Sequence, residues 1–332
     1  MSHAPPFSIS KKRGGARTAR GLLAVLAMGS GFLARPAAAQ TEPEPRTGAV
    51  EARDQADDGH RLHWSYPRFR LWQLLSSLAV SGTNLYLQYG IEGDFPSSGW
   101  NEGILFDDAS RDLLVAESKE GRHKAAQISN FMWHATQYYP IVVDSLFVPL
   151  VTDKFNIDVA LQMNAINWQV QGLAFLLLRV SHRTVGRGRP SLQECPDDPD
   201  YDGVCGDNYT GRTASFMGGH VAMAMSGAGL VCAHHQALPL YGGNIADALI
   251  CGVAVASALA TGALRVVADR HWMSDIVVGA GIGGALGYGL PYLLHYRYGK
   301  LQPLFAEYLP ENTVVYPLAS SSDFGLGFAG IF

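Results

Sequence analysis

Charged residues are scarce in this chain. Asp, Glu, Lys and Arg together make up 16% of its 332 residues, whereas about a quarter is usual in soluble domains. The formal net charge is −4, while proteins that bind nucleic acid usually carry an excess of Lys and Arg. The composition therefore argues against a nucleic-acid partner. The length suits one large domain or two small ones.

Cysteine is scarce too, with four in the whole chain. Cys195 and Cys205 bracket an acidic loop that also contains Pro and Gly. We expect them to form a disulfide, as exported proteins often do. Cys232 and Cys251 fall on consecutive predicted helices. For this second pair, a disulfide across a helical hairpin and two buried thiols both stay open.

Strand-like alternation is absent until the tail, where Phe324, Leu326 and Phe328 alternate in one short run. One short strand cannot make a barrel, so we interpret this run as an aromatic terminus that packs on the body. Apolar segments of helical length occur instead, separated by Gly, Pro, Asn or Asp. They cover about residues 70–90, 128–151, 157–180, 216–236, 245–268 and 273–297. The pattern predicts an all-α fold, a bundle of about six long apolar helices.

Residues 1–39 have the features of an export signal. A basic start precedes a short apolar run and a stretch of small residues, and we expect cleavage after Ala39. A transit sequence or an amphipathic arm is the alternative interpretation. Residues 40–69 are polar and are predicted to be a disordered linker. The helical domain is predicted to cover residues 70–300, and residues 301–332 form a C-terminal tail.

The sequence leaves open whether the helices cross a membrane. Their length and low charge suit a bilayer. However, if residue 40 lies outside the cell membrane, three spans would place residues 182–215 in the cytoplasm, where Cys195 and Cys205 would stay reduced. We interpret the chain as an exported domain, periplasmic or in the cell envelope, with a largely buried bundle. Association with a membrane is compatible with this interpretation.

One segment near the carboxyl end combines Arg265, His271 and Asp275. Asp275 follows His271 by four residues, so a helix that starts near Trp272 would bring the carboxylate under the imidazole. Held at one nitrogen, the ring keeps its other nitrogen neutral and free to attack. The guanidinium of Arg265 can bind phosphate oxygens. These are the parts needed to move a phosphoryl group onto a histidine.

A second segment, which includes Gly218, Gly219 and His220, opens a long apolar helix. Glycines at a helix start let backbone N–H groups approach an anion closely, and the helix dipole favours negative charge there. His220 in the first turn is placed to donate a proton to a leaving alkoxide.

A third segment runs from His182 to Pro190 and carries Arg183, Arg187 and Arg189. Its arginines form a second cationic wall, with Gly and Pro constraining the backbone. By itself Arg189 could be an ordinary loop cation, and we interpret Arg187 as a solvated flank. For His182 and Arg183, a phosphate contact and a surface position are both open.

In this order and spacing, the three segments resemble the signature motifs of the type 2 phosphatidic acid phosphatase family, which shares its site with vanadium haloperoxidases. The last family motif is Arg, five residues, His, three residues, Asp, and it is matched completely by Arg265, His271 and Asp275. The resemblance covers about residues 130 to 298.

The other two motifs are matched in part. The family has Pro-Ser-Gly-His where this chain has Met217 and Gly218 before the retained Gly-His pair. The family also has Lys, six residues, Arg-Pro, where this chain keeps Arg189 and the proline but has His182 at the lysine position, with Arg183 beside it. Losing the serine removes a hydrogen bond of about 1 kcal/mol, and His182 makes one positive contact dependent on pH.

The resemblance implies a metal-independent phosphatase that acts on a lipid phosphate or on a small phosphomonoester. His271 would form a phosphohistidine, Asp275 would orient it, and His220 would protonate the leaving alcohol. No metal or cofactor is expected. The phosphate contacts would come from Arg189, Arg265, the amides of Gly218 and Gly219, and His182 or Arg183.

Two other functions remain as alternatives. A vanadate-dependent haloperoxidase would bind vanadate at His271, because trigonal-bipyramidal vanadate mimics the phosphoryl transition state. A catalytically weakened membrane or binding protein of the same family is suggested by His182 and Gly218, which depart from the motifs.

Overall fold

The structure is a computed structural model. It describes residues 59–91, 99–203, 205 and 211–298, together with two strands at residues 314–319 and 324–329. The predicted signal peptide, its cleavage site and most of the predicted linker lie outside the described residues.

Six long helices build the described part of the chain, with two shorter ones between and after them. The long ones are α1 (Leu71–Leu85), α3 (Lys119–Tyr139), α4 (Ile157–Thr184), α5 (Gly219–Ala237), α6 (Ile245–Val267) and α7 (Met273–Gly284). The short ones are α2 (Asp107–Leu114) and α8 (Leu290–Leu294). The prediction of an all-α bundle with about six long helices is therefore confirmed.

Side-chain caps fix where several helices begin. Ser118 accepts a hydrogen bond from the amide of Gly121 at the start of α3, and Asn156 caps α4 in the same way. At the start of α6, Asn244 and Asp247 form a reciprocal capping box. Each cap satisfies amides that have no partner inside the helix.

Three helices continue beyond their regular part as π-helical segments. Tyr86–Gly90 follows α1, Pro140–Thr152 follows α3 and Ala285–Gly289 follows α7. In α3 the change comes at Pro140, which has no N–H to donate to the preceding turn.

The central helix of the bundle is α5, in which 17 of 19 residues are buried. It packs against α3, α4, α6 and α7. These four helices thus surround α5, which forms the core.

The end of the predicted linker is not disordered. Leu62 is 1% exposed and belongs to the main core cluster. The amide of Leu62 donates to the carboxylate of Asp153 at 3.0 Å, and the hydroxyl of Tyr66 donates to the carbonyl of Ala237. One buried aliphatic and one buried aromatic side chain are enough to dock this otherwise polar stretch on the helical body. The packed body therefore begins before residue 70.

Both cysteine pairs form disulfides. Cys195–Cys205 confirms the prediction, with a Cα–Cα distance of 5.3 Å. Cys232 and Cys251 join α5 to α6, with a Cα–Cα distance of 4.6 Å, which decides the alternative left open by the sequence. Two disulfides fit an exported protein.

The tail contains two strands instead of one. β1 (Val314–Ala319) pairs antiparallel with β2 (Phe324–Ala329), and Pro317 lies opposite Leu326. A proline inside a run argues against a central strand, but a two-stranded hairpin has only edges, where proline is tolerated.

Candidate active site

The ring of His271 is buried between the start of α5 and the start of α7. Its Nδ1 donates a hydrogen bond to the carbonyl oxygen of Ser215 at 2.8 Å. A carbonyl oxygen can only accept, so Nδ1 carries the hydrogen and Nε2 keeps its lone pair. Burial, together with the charges of Arg189 and Arg265, holds the pKa of His271 well below its ordinary value. The imidazole is therefore neutral and has a fixed tautomer.

Asp275 does not lie under the ring of His271, so this part of the prediction is wrong. Its carboxylate accepts hydrogen bonds from Arg187 and from the hydroxyl of Ser215, both at 2.6 Å. It also accepts one from the amide of Trp272 at 3.1 Å. Because α7 begins directly after Trp272, the carboxylate turns back to cap the helix. Asp275 reaches the histidine only through Ser215.

Arg187 is fully buried instead of solvated, which corrects the interpretation from the sequence. Its guanidinium joins Asp275 to Asp107, at 2.6 and 2.8 Å, and donates to the hydroxyl of Ser274. It also lies over the ring of Trp100, 4.2 Å from the centroid. Arg187 thus ties α2, the loop before α2 and the start of α7 together.

His220 lies in the first turn of α5 and contacts α3, which the sequence did not connect to the site. Oδ1 of Asn130 accepts from Nε2 of His220 at 2.9 Å and from Arg265 at 3.4 Å. The ring of Trp133 stands edge-on, 4.5 Å away. Burial, then the charges of Arg265 and Arg189, lower the pKa of His220 to about 2.

His182 and Arg183 point in different directions. Nε2 of His182 donates to the carbonyl of Met217 at 3.4 Å, in the loop that leads into α5. Burial and the charge of Arg189 lower the pKa of His182 to about 4. Arg183 donates instead to two backbone carbonyls at the end of the π-helical turn after α1, at 3.1 and 3.3 Å. Arg183 thus lies against the backbone that follows α1, whereas His182 lies against the loop that leads into the site.

The two glycines before His220 have different roles. The amide of Gly218 donates to the carbonyl of Asp275 at 3.1 Å, so it cannot serve as the predicted phosphate contact. Gly219 begins α5, where the first amides have no partner inside the helix. A Cβ at Gly219 would lie 2.9 Å from the side chain of Leu178. α5 and α4 therefore approach each other closely here, and a larger residue would have to displace the side chain of Leu178.

Arg189 lies where the three sequence segments meet. Its side chain donates to the carbonyls of Gly211 and Arg270, each at 2.9 Å, so backbone from two loops positions it. Its positive charge lowers the pKa of all three histidines of the site, His182, His220 and His271. Segments far apart in sequence therefore form one cationic pocket around a neutral imidazole.

One protein family matches part of the chain. Residues 171–298 match the PAP2 superfamily. The resemblance to the type 2 phosphatidic acid phosphatases is thus confirmed for this part of the chain. The PAP2 match covers all three motif segments and supports a phosphatase-type activity in general. Neither the curated proteins nor the solved structures gave a match.

Proposed function

We propose that the PAP2 segment hydrolyses phosphate monoesters without a metal, through a phosphohistidine at His271. The observation that carries this proposal is that the imidazole of His271 is neutral and held in one tautomer. Ser215 fixes its tautomer, and its depressed pKa keeps Nε2 unprotonated. A neutral ring nitrogen beside two guanidinium groups is the arrangement needed to attack a phosphorus atom that carries negative oxygens.

The phosphate oxygens would be held by Arg189, Arg265 and the amides at the start of α5 from Gly219 onward. The two arginines supply fixed charge, and the helix N-terminus supplies oriented N–H groups. This set offsets the charge that develops on the equatorial oxygens during transfer.

The reaction would take two steps. Nε2 of His271 attacks phosphorus, the P–O bond to the alcohol breaks in line, and His220 gives its proton to the leaving oxygen. Water then attacks the phosphohistidine, His220 takes a proton from that water, and the P–N bond breaks to release phosphate.

The proton for the first step is coupled to substrate binding. In the pocket without an anion, burial and the charges of two arginines depress the pKa of His220 to about 2. A phosphate that arrives between them offsets those charges and raises the pKa of the ring. A substrate monoanion can also bring its own proton. We therefore infer that activity is favoured at acidic pH.

We also propose that the exported domain associates with a lipid bilayer, which makes phosphorylated lipids accessible substrates. The first helix, α1, buries polar side chains, which is the reverse of the pattern in a helix of a soluble protein. Its buried side chains include Gln73, Ser77 and Asn84. Its exposed side carries Leu71, Trp72, Leu75 and Leu78, each more than half exposed. Exposed apolar faces of this size mark contact with lipid or protein. In the described part of the chain, the stretches Ile245–Val267 and Met273–Tyr298 are long and apolar enough to cross a membrane.

Release of phosphate from p-nitrophenyl phosphate tests the enzymatic proposal. We expect the wild-type protein to release phosphate and His271→Ala to lose at least about 10³-fold of kcat, as removal of a nucleophile does. His63→Ala removes an exposed histidine and serves as the matched control. If both variants fold and His271→Ala is as active as the wild-type protein, the proposal is contradicted. Peroxide-dependent bromination after addition of vanadate would instead favour the haloperoxidase alternative.

A further inference from the structure

The loop that the Cys195–Cys205 disulfide closes, here called the stapled loop, packs against α3 through Tyr201 and Asp202. The guanidinium of Arg122 on α3 donates to both carboxylate oxygens of Asp202, at 2.8 and 3.1 Å. The same guanidinium lies over the ring of Tyr201, 4.2 Å from its centroid. Arg122 and Asp202 are both buried. A bidentate ion pair therefore fixes one side of the stapled loop on the helical body.

On its other side, the stapled loop reaches the turn that joins α6 to α7. The hydroxyl of Tyr201 donates to the carboxylate of Asp269 in this turn, at 3.1 Å. Burial and the charge of Asp269 raise the pKa of Tyr201, so the hydroxyl keeps the proton that it donates. Arg111 of α2 also donates to both oxygens of this fully buried carboxylate, each at 2.8 Å. The stapled loop and α2 thus hold the turn together.

The backbone at Asp269 indicates that its carboxylate is what matters. Its φ is 54°, in the left-handed region that glycine adopts freely and that most other residues avoid. The hydrogen bonds from Arg111 and Tyr201 offset this strain. An aspartate at a position suited to glycine therefore acts through its side chain.

This turn positions two groups of the phosphate pocket. The carbonyl of Arg270, which follows Asp269, accepts a hydrogen bond from Arg189 at 2.9 Å. His271 comes next, and its Nδ1 donates to the carbonyl of Ser215. A shift of the turn would therefore move the guanidinium of Arg189 and the imidazole of His271 together. A misplacement of about 1 Å can cost on the order of 10²-fold in rate.

We propose that Asp269 and Tyr201 are positioning residues of the active site, and that phosphate binds well only while the disulfide closes the stapled loop. The closed loop holds Tyr201 against Asp269, and the turn then holds Arg189 and His271 in place. This inference rests on the proposed phosphatase function. It adds that the site depends on a disulfide, as suits an oxidising compartment.

Reduction of the disulfide tests the role of the stapled loop, with inorganic phosphate as the probe. Dithiothreitol converts an S–S bond to two thiols and becomes a cyclic disulfide itself. Because the second disulfide could react too, the protein used is Cys232→Ser/Cys251→Ser. Cys232 follows His220 by twelve residues on α5, about 18 Å by helical rise, so its loss should leave the pocket intact.

In this protein we expect reduction to raise the Kd for phosphate about tenfold and to lower kcat/KM for p-nitrophenyl phosphate by at least as much. Isothermal titration calorimetry measures the Kd, and mass spectrometry after alkylation verifies the two thiols. The matched variant Cys195→Ser/Cys205→Ser should bind phosphate weakly without reductant and should not change when reductant is added. An unchanged Kd after complete reduction would overturn the inference.

Variants of the two positioning residues test the rest of the chain of contacts. Asp269→Gly removes the carboxylate but accepts the left-handed backbone, and we expect kcat/KM to fall about 30-fold. Asp269→Asn keeps an acceptor and tolerates the same backbone, so it should recover part of this loss. Tyr201→Phe removes one hydrogen bond and should cost about fivefold. Arg68→Met, which removes an exposed partner of Asp158, should match the wild type.

A merely structural role for Asp269 gives a different result. Asp269→Gly would then unfold at a lower temperature, while the folded protein would keep the wild-type Kd for phosphate, and that outcome would overturn the positioning role. The proposed function fails separately. A protein that binds phosphate tightly only when oxidised but hydrolyses no p-nitrophenyl phosphate refutes the phosphatase and keeps the positioning role. An active enzyme that is indifferent to reduction and to Asp269→Gly refutes only this inference.

Discussion

His182 stands where the resemblance places a lysine, and its environment keeps it uncharged. With a pKa of about 4, caused by burial and the charge of Arg189, it adds no positive charge to the free site near neutral pH. A phosphate contact from a charged His182, one of the two positions that the sequence left open, would require substrate binding to induce its protonation, at a cost of about 1.4 kcal/mol for each pH unit above the pKa of the bound state. Binding of phosphate should weaken as the pH rises.

His182→Lys removes this dependence of phosphate binding on pH, because a lysine stays charged at both acidic and neutral pH. We expect kcat/KM for p-nitrophenyl phosphate to rise about tenfold at about pH 7 and to change little at about pH 5. Profiles of kcat/KM against pH for the two proteins measure the effect, and parallel profiles would count against it.

Arg183→Gln tests whether Arg183, the neighbouring candidate, contacts the phosphate instead. Because Arg183 points to the end of α1, its profile should follow the wild type.

Single residues also show where sequence reasoning reaches its limit. Arg265 and His271 could be assigned because they keep the full motif spacing. The partners of Asp275 could not be assigned from the sequence, because helix capping and an ion pair with Arg187 compete for its carboxylate. The Arg-Pro pair of the motif indicated Arg189, which lies among the three histidines, but nothing in the sequence showed that Arg187 is a buried structural cation.

At the scale of elements, apolar periodicity located all six long helices, although α3 begins at Lys119, well before the predicted segment that starts at about residue 128. The glycines in and directly after α7 differ in how closely other helices approach them. A Cβ at Gly283 would lie 2.2 Å from the carbonyl of Ala222, and one at Gly287 would lie 2.3 Å from that of Ser226. Gly281, in contrast, faces open space. The sequence shows that glycine is frequent in this segment. Only the packing shows at which positions a side chain would collide with a neighbouring helix.

The contribution of α3 could not be predicted, because Asn130 and Trp133 carry no spacing signal. They reach His220 only because α3 and α5 run side by side in the bundle. The π-helical segments were also missed. They depend on local backbone adjustments such as the one at Pro140, and a pattern of apolar residues does not record these.

At the scale of the whole molecule, the apolar outer face leads to a prediction about partition. We expect expressed full-length protein to stay with the membrane fraction through a carbonate wash and to be released by detergent. Leu75→Glu and Leu78→Glu place a charge on the exposed face of α1, where burial in lipid would cost about 2 to 3 kcal/mol. Each should shift protein into the soluble fraction. Wild-type protein that is soluble after the wash would contradict the membrane proposal.

The central claim is that His271 becomes phosphorylated during turnover. His220→Ala with p-nitrophenyl phosphate provides the most direct test, because this leaving group needs little protonation whereas the water step loses its base. The phosphorylated enzyme should then accumulate. Mass spectrometry of protein quenched in base, where phosphohistidine survives, should find the phosphoryl group on the peptide that contains His271. Continued phosphate release with that peptide unmodified, or with the phosphoryl group on another residue, would contradict the account.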